Sequence, residues 1–206
     1  MKNNNKIFLG EFIASCFLVM VIVGSGIMAE NLTNDNAVRL LANTIATGAG
    51  LFVLITAFAN ISGAHLNPFV SLSMYLTKRI KGKELLTFIP AQILGCLLGV
   101  MLANVFFEHS IIELSTKNRD GFHIFLSEIV ATFGLIFIIF ATLKDGKTTV
   151  AACVATYISA GYWFTSSTSF ANPAVAIART FTDSFTGINY LNTPTYIFAE
   201  LLGAIA

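Results

Sequence analysis

Charged residues are scarce in this sequence. Asp, Glu, Lys and Arg make up 11% of its 206 residues, whereas about 25% is typical of soluble globular domains. Apolar residues make up 55% of the chain, and 19 residues are Phe. Because so few charges cannot cover the surface of a soluble domain, we interpret the chain as a membrane protein. Its length suffices for about six membrane spans with short connections.

Neither a basic surface nor a cysteine framework is present. The formal net charge is +1 and no basic stripe occurs, which excludes a nucleic-acid partner because such partners need clustered Lys and Arg. The three cysteines, Cys16, Cys96 and Cys153, lie inside apolar runs, so we interpret them as small core residues. We expect no metal site and no cofactor.

Proline occurs only four times, and two of the four follow asparagine. Residues 62–70 read SGAHLNPFV and residues 169–175 read SFANPAV. Pro suits the first position of a helix, and Asn is a favoured N-cap. Each motif therefore predicts the start of a short helix, over about 68–77 and 173–181. Two such helices of about 15 Å together span the ~30 Å hydrocarbon layer. The non-helical backbone that leads into each helix predicts a pore, because irregular backbone at that depth must be packed in protein or line a watery cavity.

Longer apolar segments surround both motifs. They cover about 7–28, 38–58, 84–106, 122–143, 148–165 and 193–206. A signal peptide is an alternative for the first, because residues 24–30 include small residues that suit a cleavage site, but the apolar run is too long for one. The last has 14 residues, or about 21 Å against the ~30 Å of a full span, so we expect this helix to be cut short.

The two halves of the chain resemble each other. Glu11 is followed by Phe-Ile-Ala-Ser, and Glu128 by Ile-Val-Ala-Thr. Three spans per half reverse the orientation of the second half, which predicts an inverted repeat of residues 7–106 and 122–206, joined by a loop over 107–121. A stripe of small residues on the third span predicts close contact with another helix. Its members are Ala91, Gly95, Gly99 and Ala103.

Basic residues are unevenly distributed between the two sides of the predicted bundle. With both termini in the cytoplasm, eight lie inside and four outside, as the positive-inside rule requires. The inner ones are Lys2, Lys6, Lys78, Arg79, Lys81, Lys83, Lys144 and Lys147; the outer ones are Arg39, Lys117, Arg119 and Arg179. We therefore expect a multi-pass protein of the plasma (inner) membrane.

Together these features resemble the aquaporin, or major intrinsic protein, family. SGAHLNP and ANPA are similar to its two motifs, and the resemblance covers nearly the whole chain. It implies an all-α bundle of six transmembrane helices plus two re-entrant half-helices, in one channel domain over residues 1–206. It also implies a homotetramer in the lipid bilayer, with one pore per subunit.

The resemblance assigns the pore motif to two groups of three residues. They are Asn67, Pro68 and Phe69, and Asn172, Pro173 and Ala174. It implies that both Asn amides donate to the permeating molecule and that the helix dipoles disfavour cations. Each Asn can also cap its helix, since capping uses the amide oxygen and leaves the NH₂ group free. Phe69 stands where the family has Ala, and we interpret it as packing sideways into the bundle.

Three other residues near the motifs have expected roles. Glu11 and Glu128 are intramembrane carboxylates and so candidate functional groups. The resemblance implies that they accept hydrogen bonds from the re-entrant loops, as structural supports and not as proton carriers. We expect His65 in the cytoplasmic vestibule; it has no metal-binding partner at suitable spacing.

The outer constriction departs from the family pattern. Where the family usually has Arg after Asn-Pro-Ala, this chain has Val175, and ungapped spacing assigns the other filter positions to Thr47, Ala160 and Ser169. Such small residues predict a wide, mildly polar opening. Arg179 follows one turn later, and it either folds back to supply the missing charge or braces the outer loop with Asp183.

The expected function is passive movement of small neutral solutes. Residues 172–188 resemble a bacterial branch of the family associated with arsenic resistance, so we expect water plus larger uncharged solutes such as glycerol or arsenite. A water-selective channel is the alternative. An ion-coupled transporter also uses broken helices but needs a coupling-ion site, and no unpaired acid lies near the motifs. An enzyme would need a nucleophile and a base there, so we expect no catalytic residue.

Overall fold

The computed structural model describes residues 4–206, which form eight α-helices and no strand. The helices are α1 (Asn4–Leu32), α2 (Asn36–Phe58), α3 (Pro68–Leu76), α4 (Gly82–Phe106), α5 (Phe122–Thr142), α6 (Lys147–Phe164), α7 (Pro173–Ala178) and α8 (Thr193–Ile205). Lys2, one of the residues expected on the cytoplasmic side, lies outside the described part. We name the two ends of the bundle by their connections: the outer end carries the α1–α2 turn, and the inner end carries the α3–α4 turn.

Both short helices begin where the sequence predicts. Asn67 and Asn172 have extended backbones and cap α3 and α7 with their side chains, and proline follows at the first helical position. The second short helix is less regular than expected, because α7 ends at Ala178 and continues as a 3₁₀ turn, Arg179–Phe181. The motif therefore fixes where each helix begins more firmly than where it ends.

The longer helices are suited to a membrane. By length and composition alone, α1, α2, α4 and α5 are able to cross one. The other two predicted spans are shorter: α6 has 18 residues and begins at Lys147, and α8 has 13 residues. Both belong to the same bundle, since α6 packs on α2 and α5, and α8 packs on α5. Large apolar side chains such as Leu86 and Phe137 remain exposed on the outside, as expected of a surface in contact with lipid.

Each half of the chain repeats one packing pattern. The first long helix of each half packs on the other two, α1 on α2 and α4, and α5 on α6 and α8. Glycine permits the closest approach: a Cβ at Gly95 would overlap the carbonyl oxygen of Phe12, and one at Gly203 would overlap that of Ile129. The predicted small-residue stripe on α4 is thus confirmed as its interface with α1.

The loop over residues 107–121 lies against the chain that follows α7. Ser115 N donates to Thr180 O at 2.9 Å, and Asn189 N donates to Lys117 O at 2.8 Å. Asp183 accepts a hydrogen bond from Thr116 N at 2.8 Å. The outer end of the second half is therefore covered by the loop that joins the two halves.

Candidate functional site

The two Asn-Pro motifs meet in the middle of the bundle. The amide oxygen of Asn67 accepts from Phe69 N at 2.8 Å, and that of Asn172 accepts from Ala174 N at 3.1 Å. The Nδ2 atoms cross to the opposite loop: Asn67 donates to Ala171 O at 2.6 Å, and Asn172 donates to Leu66 O at 2.7 Å.

This crossing changes one expectation about the asparagines. The helix-capping argument expected both NH₂ groups to be free. Instead, each NH₂ group donates one hydrogen to a carbonyl oxygen of the opposite loop. An amide NH₂ has two hydrogens, so the second remains for a molecule in the cavity that both residues line. Pro68, Pro173 and Ala174 are buried behind the asparagines.

Glu11 holds the first loop. Its carboxylate is fully buried and accepts hydrogen bonds from Leu66 N at 2.7 Å and His65 N at 3.1 Å. The side chains of Ser62 and Gln92 donate to the same carboxylate at 2.6 and 2.8 Å. These are the contacts of a support for the loop.

Two carboxyl groups hold the second loop. Glu128 accepts from Phe170 N at 3.0 Å and from Ala171 N at 2.8 Å. The next amide, Asn172 N, donates to Glu200 Oε1 at 3.0 Å. Glu200 was missed by the sequence analysis, although a carboxyl group within an apolar helix is a signal for a functional residue.

Both loops contain residues in the left-handed backbone region. Ala64 and Leu66 have φ of 53°, and Ser169 and Ala171 have φ of 53° and 47°. Residues other than glycine rarely adopt such angles, at a cost on the order of 1–3 kcal/mol each. The conformation turns successive N–H groups towards the buried carboxyl groups, whose hydrogen bonds stabilise it.

A cavity of about 400 Å³ runs along the two loops. Asn67, Asn172 and His65 of the two loops contribute polar groups to its lining. Much of the lining consists of apolar residues of the long helices. They include Leu18, Ile22, Leu51, Ile55, Leu135 and Ile139. A largely apolar lining with a few polar groups suits uncharged solutes that make a few hydrogen bonds.

Three of the four expected filter residues line this cavity: Thr47, Ser169 and Val175. The fourth, Ala160, does not line the cavity, because it lies on the exposed side of α6. Tyr162 lines the cavity instead, and its hydroxyl donates to Thr47 Oγ1 at 3.1 Å. Two residues correspond to about 200° of helix rotation, so the ungapped spacing selected the opposite face of α6.

Arg179 also lines the cavity and is 3% exposed. Its guanidinium carbon lies 3.5 Å from the centre of the Phe170 ring, and its Nε donates to Thr186 O. The expected pairing with Asp183 is not observed, since Asp183 binds Thr116 instead. Arg179 therefore adds a cation, and Phe170 an aromatic ring, to the cavity that Thr47, Ser169 and Val175 also line.

His65 and Phe69 lie on either side of the first motif. His65 lines the cavity, its ring stacks on Phe88 with centroids 4.2 Å apart, and its Nδ1 lies 2.9 Å from Ser71 Oγ. Phe69 is half-buried and packs against the hydrophobic core. The Phe that replaces the usual Ala thus packs sideways, as interpreted from the sequence.

The charges along the cavity have one sign. Arg79 and Lys147 line it towards the inner end, and Arg179 lines it towards the outer end. No Asp or Glu in the described part of the chain is among the lining residues. Such a lining raises the electrostatic barrier to a cation and leaves neutral molecules unaffected.

Curated relatives come from bacteria, plants and animals. Aquaglyceroporin AqpS of Rhizobium meliloti (strain 1021) is 47% identical over 197 residues, which cover 96% of this chain and 84% of that protein. Aquaporin TIP1-2 of Musa acuminata is 36% identical over 149 residues, 69% of this chain and 58% of that protein. Aquaporin-4 of Rattus norvegicus is 27% identical over 209 residues, 97% of this chain and 64% of that protein. The chain thus spans less than two thirds of the latter two.

A solved structure shares the fold. The aquaglyceroporin from Plasmodium falciparum superimposes with a TM-score of 0.75 at 22% identity, covering 98% of this chain and 93% of that one. The family profile described as Major intrinsic protein matches residues 1–206. Since the profile match extends over the full chain and the Rhizobium relative is close to half identical, the chain belongs to the major intrinsic protein family.

Proposed function

We propose that this protein is a passive channel that carries water and larger uncharged solutes such as glycerol or arsenite. The observation that carries the proposal is the cavity along the two Asn-Pro loops, whose lining combines amide donors with many apolar residues and contains no carboxylate in the described chain. Solutes would move down their gradients, since no lining acid offers a site for a coupling cation.

The assignment of residues to roles belongs to this proposal. Asn67 and Asn172 are the central donors, and Glu11 and Glu128 support their loops. Thr47, Ser169 and Val175 form the constriction together with Tyr162. Repeats over about 7–106 and 122–206, joined by the loop over 107–121, form one channel domain over residues 1–206. It acts as a homotetramer in the plasma (inner) membrane with both termini cytoplasmic.

A water-selective channel is the second candidate. Tyr162 and Arg179 favour it, because an aromatic ring and a cation at a constriction narrow the opening and compete for hydrogen bonds. The two candidates differ in the passage of glycerol or arsenite relative to water.

Flux through the wild-type protein separates them, and replacement of Val175 by arginine tests the constriction. Val175 lines the cavity and is 2% exposed, so a long side chain there enters the constriction. Stopped-flow measurements on proteoliposomes would compare glycerol, arsenite and water flux in wild type, Val175→Arg and the isosteric control Val175→Thr. We expect arginine to lower the ratio of glycerol to water flux by about tenfold and threonine to leave it unchanged. Equal losses of both fluxes would contradict the role of Val175 in the constriction, and a wild type that carries water alone would contradict the proposed solute range.

A further inference from the structure

Helices α4 and α8 carry matching sequences where they pass the two loops. Residues 91–95 read AQILG and residues 199–203 read AELLG. The glycine of each pattern packs on a backbone carbonyl of the first long helix in its own half. Gln92 and Glu200 therefore occupy equivalent positions in the two halves, and they differ in having an amide or a carboxyl group.

In the first half, the amide is a donor. Gln92 Nε2 donates to Glu11 Oε2 at 2.8 Å, so the carboxylate that holds the loop receives a hydrogen bond from α4. In the second half the carboxylate that holds the loop is Glu128. From α8, which packs on α5, Glu200 accepts from Asn172 N, the amide next to the Ala171 N that binds Glu128, so the two carboxyl groups hold adjacent amides.

A charged Glu200 is unable to make the equivalent bond. It is fully buried, its Oε1 is occupied by Asn172 N, and its Oε2 receives no hydrogen from another residue within 4–206. Two ionised carboxylates side by side repel each other in a low-dielectric interior. One proton on Oε2 removes the repulsion and supplies the missing donor.

We propose that Glu200 is a protonated carboxylic acid that donates a hydrogen bond to Glu128, as Gln92 donates to Glu11, and so positions the backbone of Asn172. Glu200 is a positioning residue: it does not line the cavity and acts through Asn172, whose side chain crosses to Leu66 O. Loss of the proton would place two anions behind the second loop and displace that asparagine.

The groups around Glu200 do not offer an ion pair that would keep it charged. α5 contributes Glu128, and the turn after α7 contributes Arg179, which stacks on Phe170. α8 itself contributes Tyr196, and α3 has no charged residue, its one titratable group being the exposed Tyr75. No salt bridge to Glu200 occurs within residues 4–206.

The test compares wild type with Glu200→Gln and Glu200→Ala. Glutamine offers the same donor without a titratable proton, whereas alanine removes it. Water flux through proteoliposomes would be measured between about pH 6 and about pH 10, with equal pH on both sides. We expect wild-type flux to fall by about tenfold at the alkaline end, Glu200→Gln to remain active with a flat profile, and Glu200→Ala to be inactive at all pH values.

A transfer variant and a spectrum complete the test. Gln92→Glu in the Glu200→Gln background should move the alkaline loss of flux to the first half. Infrared spectra of wild type should contain a C=O band of a protonated carboxylic acid that is absent from Glu200→Gln. Parallel pH profiles of wild type and Glu200→Gln, or no such band in wild type, would overturn the proposal.

The flux readout rests on the proposed channel function, whereas the infrared readout does not. A protein without water flux but with the band would contradict the channel and leave the protonated Glu200 supported. A protein with flux but without the band would support the channel and overturn the protonated Glu200. If the variants do not fold, a wild-type spectrum without any protonated-carboxyl band still overturns the proposal.

Discussion

Replacement of Glu11 by leucine is expected to release the first re-entrant loop. The substitution leaves four donors without the oxygen that they now bind. They are Ser62 Oγ, His65 N, Leu66 N and Gln92 Nε2. The two side chains are able to turn towards other acceptors, but the two backbone N–H groups move only with the loop.

The expected loss of stability follows from those two backbone groups. A buried donor left without an acceptor costs about 1–3 kcal/mol, so we expect the free energy of unfolding to fall by about 2–6 kcal/mol. That is a large share of the about 5–15 kcal/mol that stabilises a typical folded protein. Leu66, which lies in the left-handed region, would also lose the hydrogen bond from its own N–H group to Glu11.

Unfolding in detergent and flux in proteoliposomes would measure the effect. Asp120→Asn is the matched control, because Asp120 is an exposed carboxylate of the loop over 107–121, and such surface changes usually alter stability by less than about 0.5 kcal/mol. We expect Glu11→Gln to lie between the two, since glutamine retains one acceptor oxygen. If Glu11→Leu were as stable and as permeable as Asp120→Asn, the supporting role of Glu11 would be refuted.

Four other variants, one of them a control, probe the cavity and the packing. Asn172→Asp puts a negative charge among the lining groups and should produce a cation leak, measured as ion-driven dye quenching in vesicles; an unchanged leak would contradict its mid-pore assignment. Gly95→Ala should lower the unfolding free energy by about 1–3 kcal/mol, because its Cβ meets the Phe12 carbonyl; unaltered thermal stability would argue against that contact. Tyr162→Ala should raise glycerol flux relative to water, whereas Ala160→Leu on the exposed face should not, and equal ratios in the two would speak against the observed orientation of α6.

The sequence alone was sufficient for the class of protein and for most of its helices. Low charge and long apolar runs exclude a soluble domain, and the two Asn-Pro pairs mark the starts of α3 and α7. These features are local: a helix cap depends on the residue itself and on the next few N–H groups. The acidic residues Glu11 and Glu128 were also visible, because a carboxyl group within an apolar run is conspicuous.

The tertiary structure decided which side chains meet. Asn67 and Ala171 are bonded across 104 positions of sequence, and neither motif by itself indicates that its NH₂ group binds the other loop. The sequence also contains no signal that Arg179 stacks on Phe170, or that Asp183 accepts a hydrogen bond from Thr116 and does not pair with Arg179.

The face that α6 presents was likewise decided by tertiary packing. Tyr162 and not Ala160 lines the cavity, since the rotation of α6 depends on its packing against α2 and α5. The carboxyl group of Glu200 was visible within an apolar run, but that it binds the second loop was apparent only when α8 was packed against α5. Composition and local hydrogen bonding determine where a helix forms, whereas its rotation about its own axis is set by neighbours that are distant in sequence, and that rotation selects the residues that line the cavity.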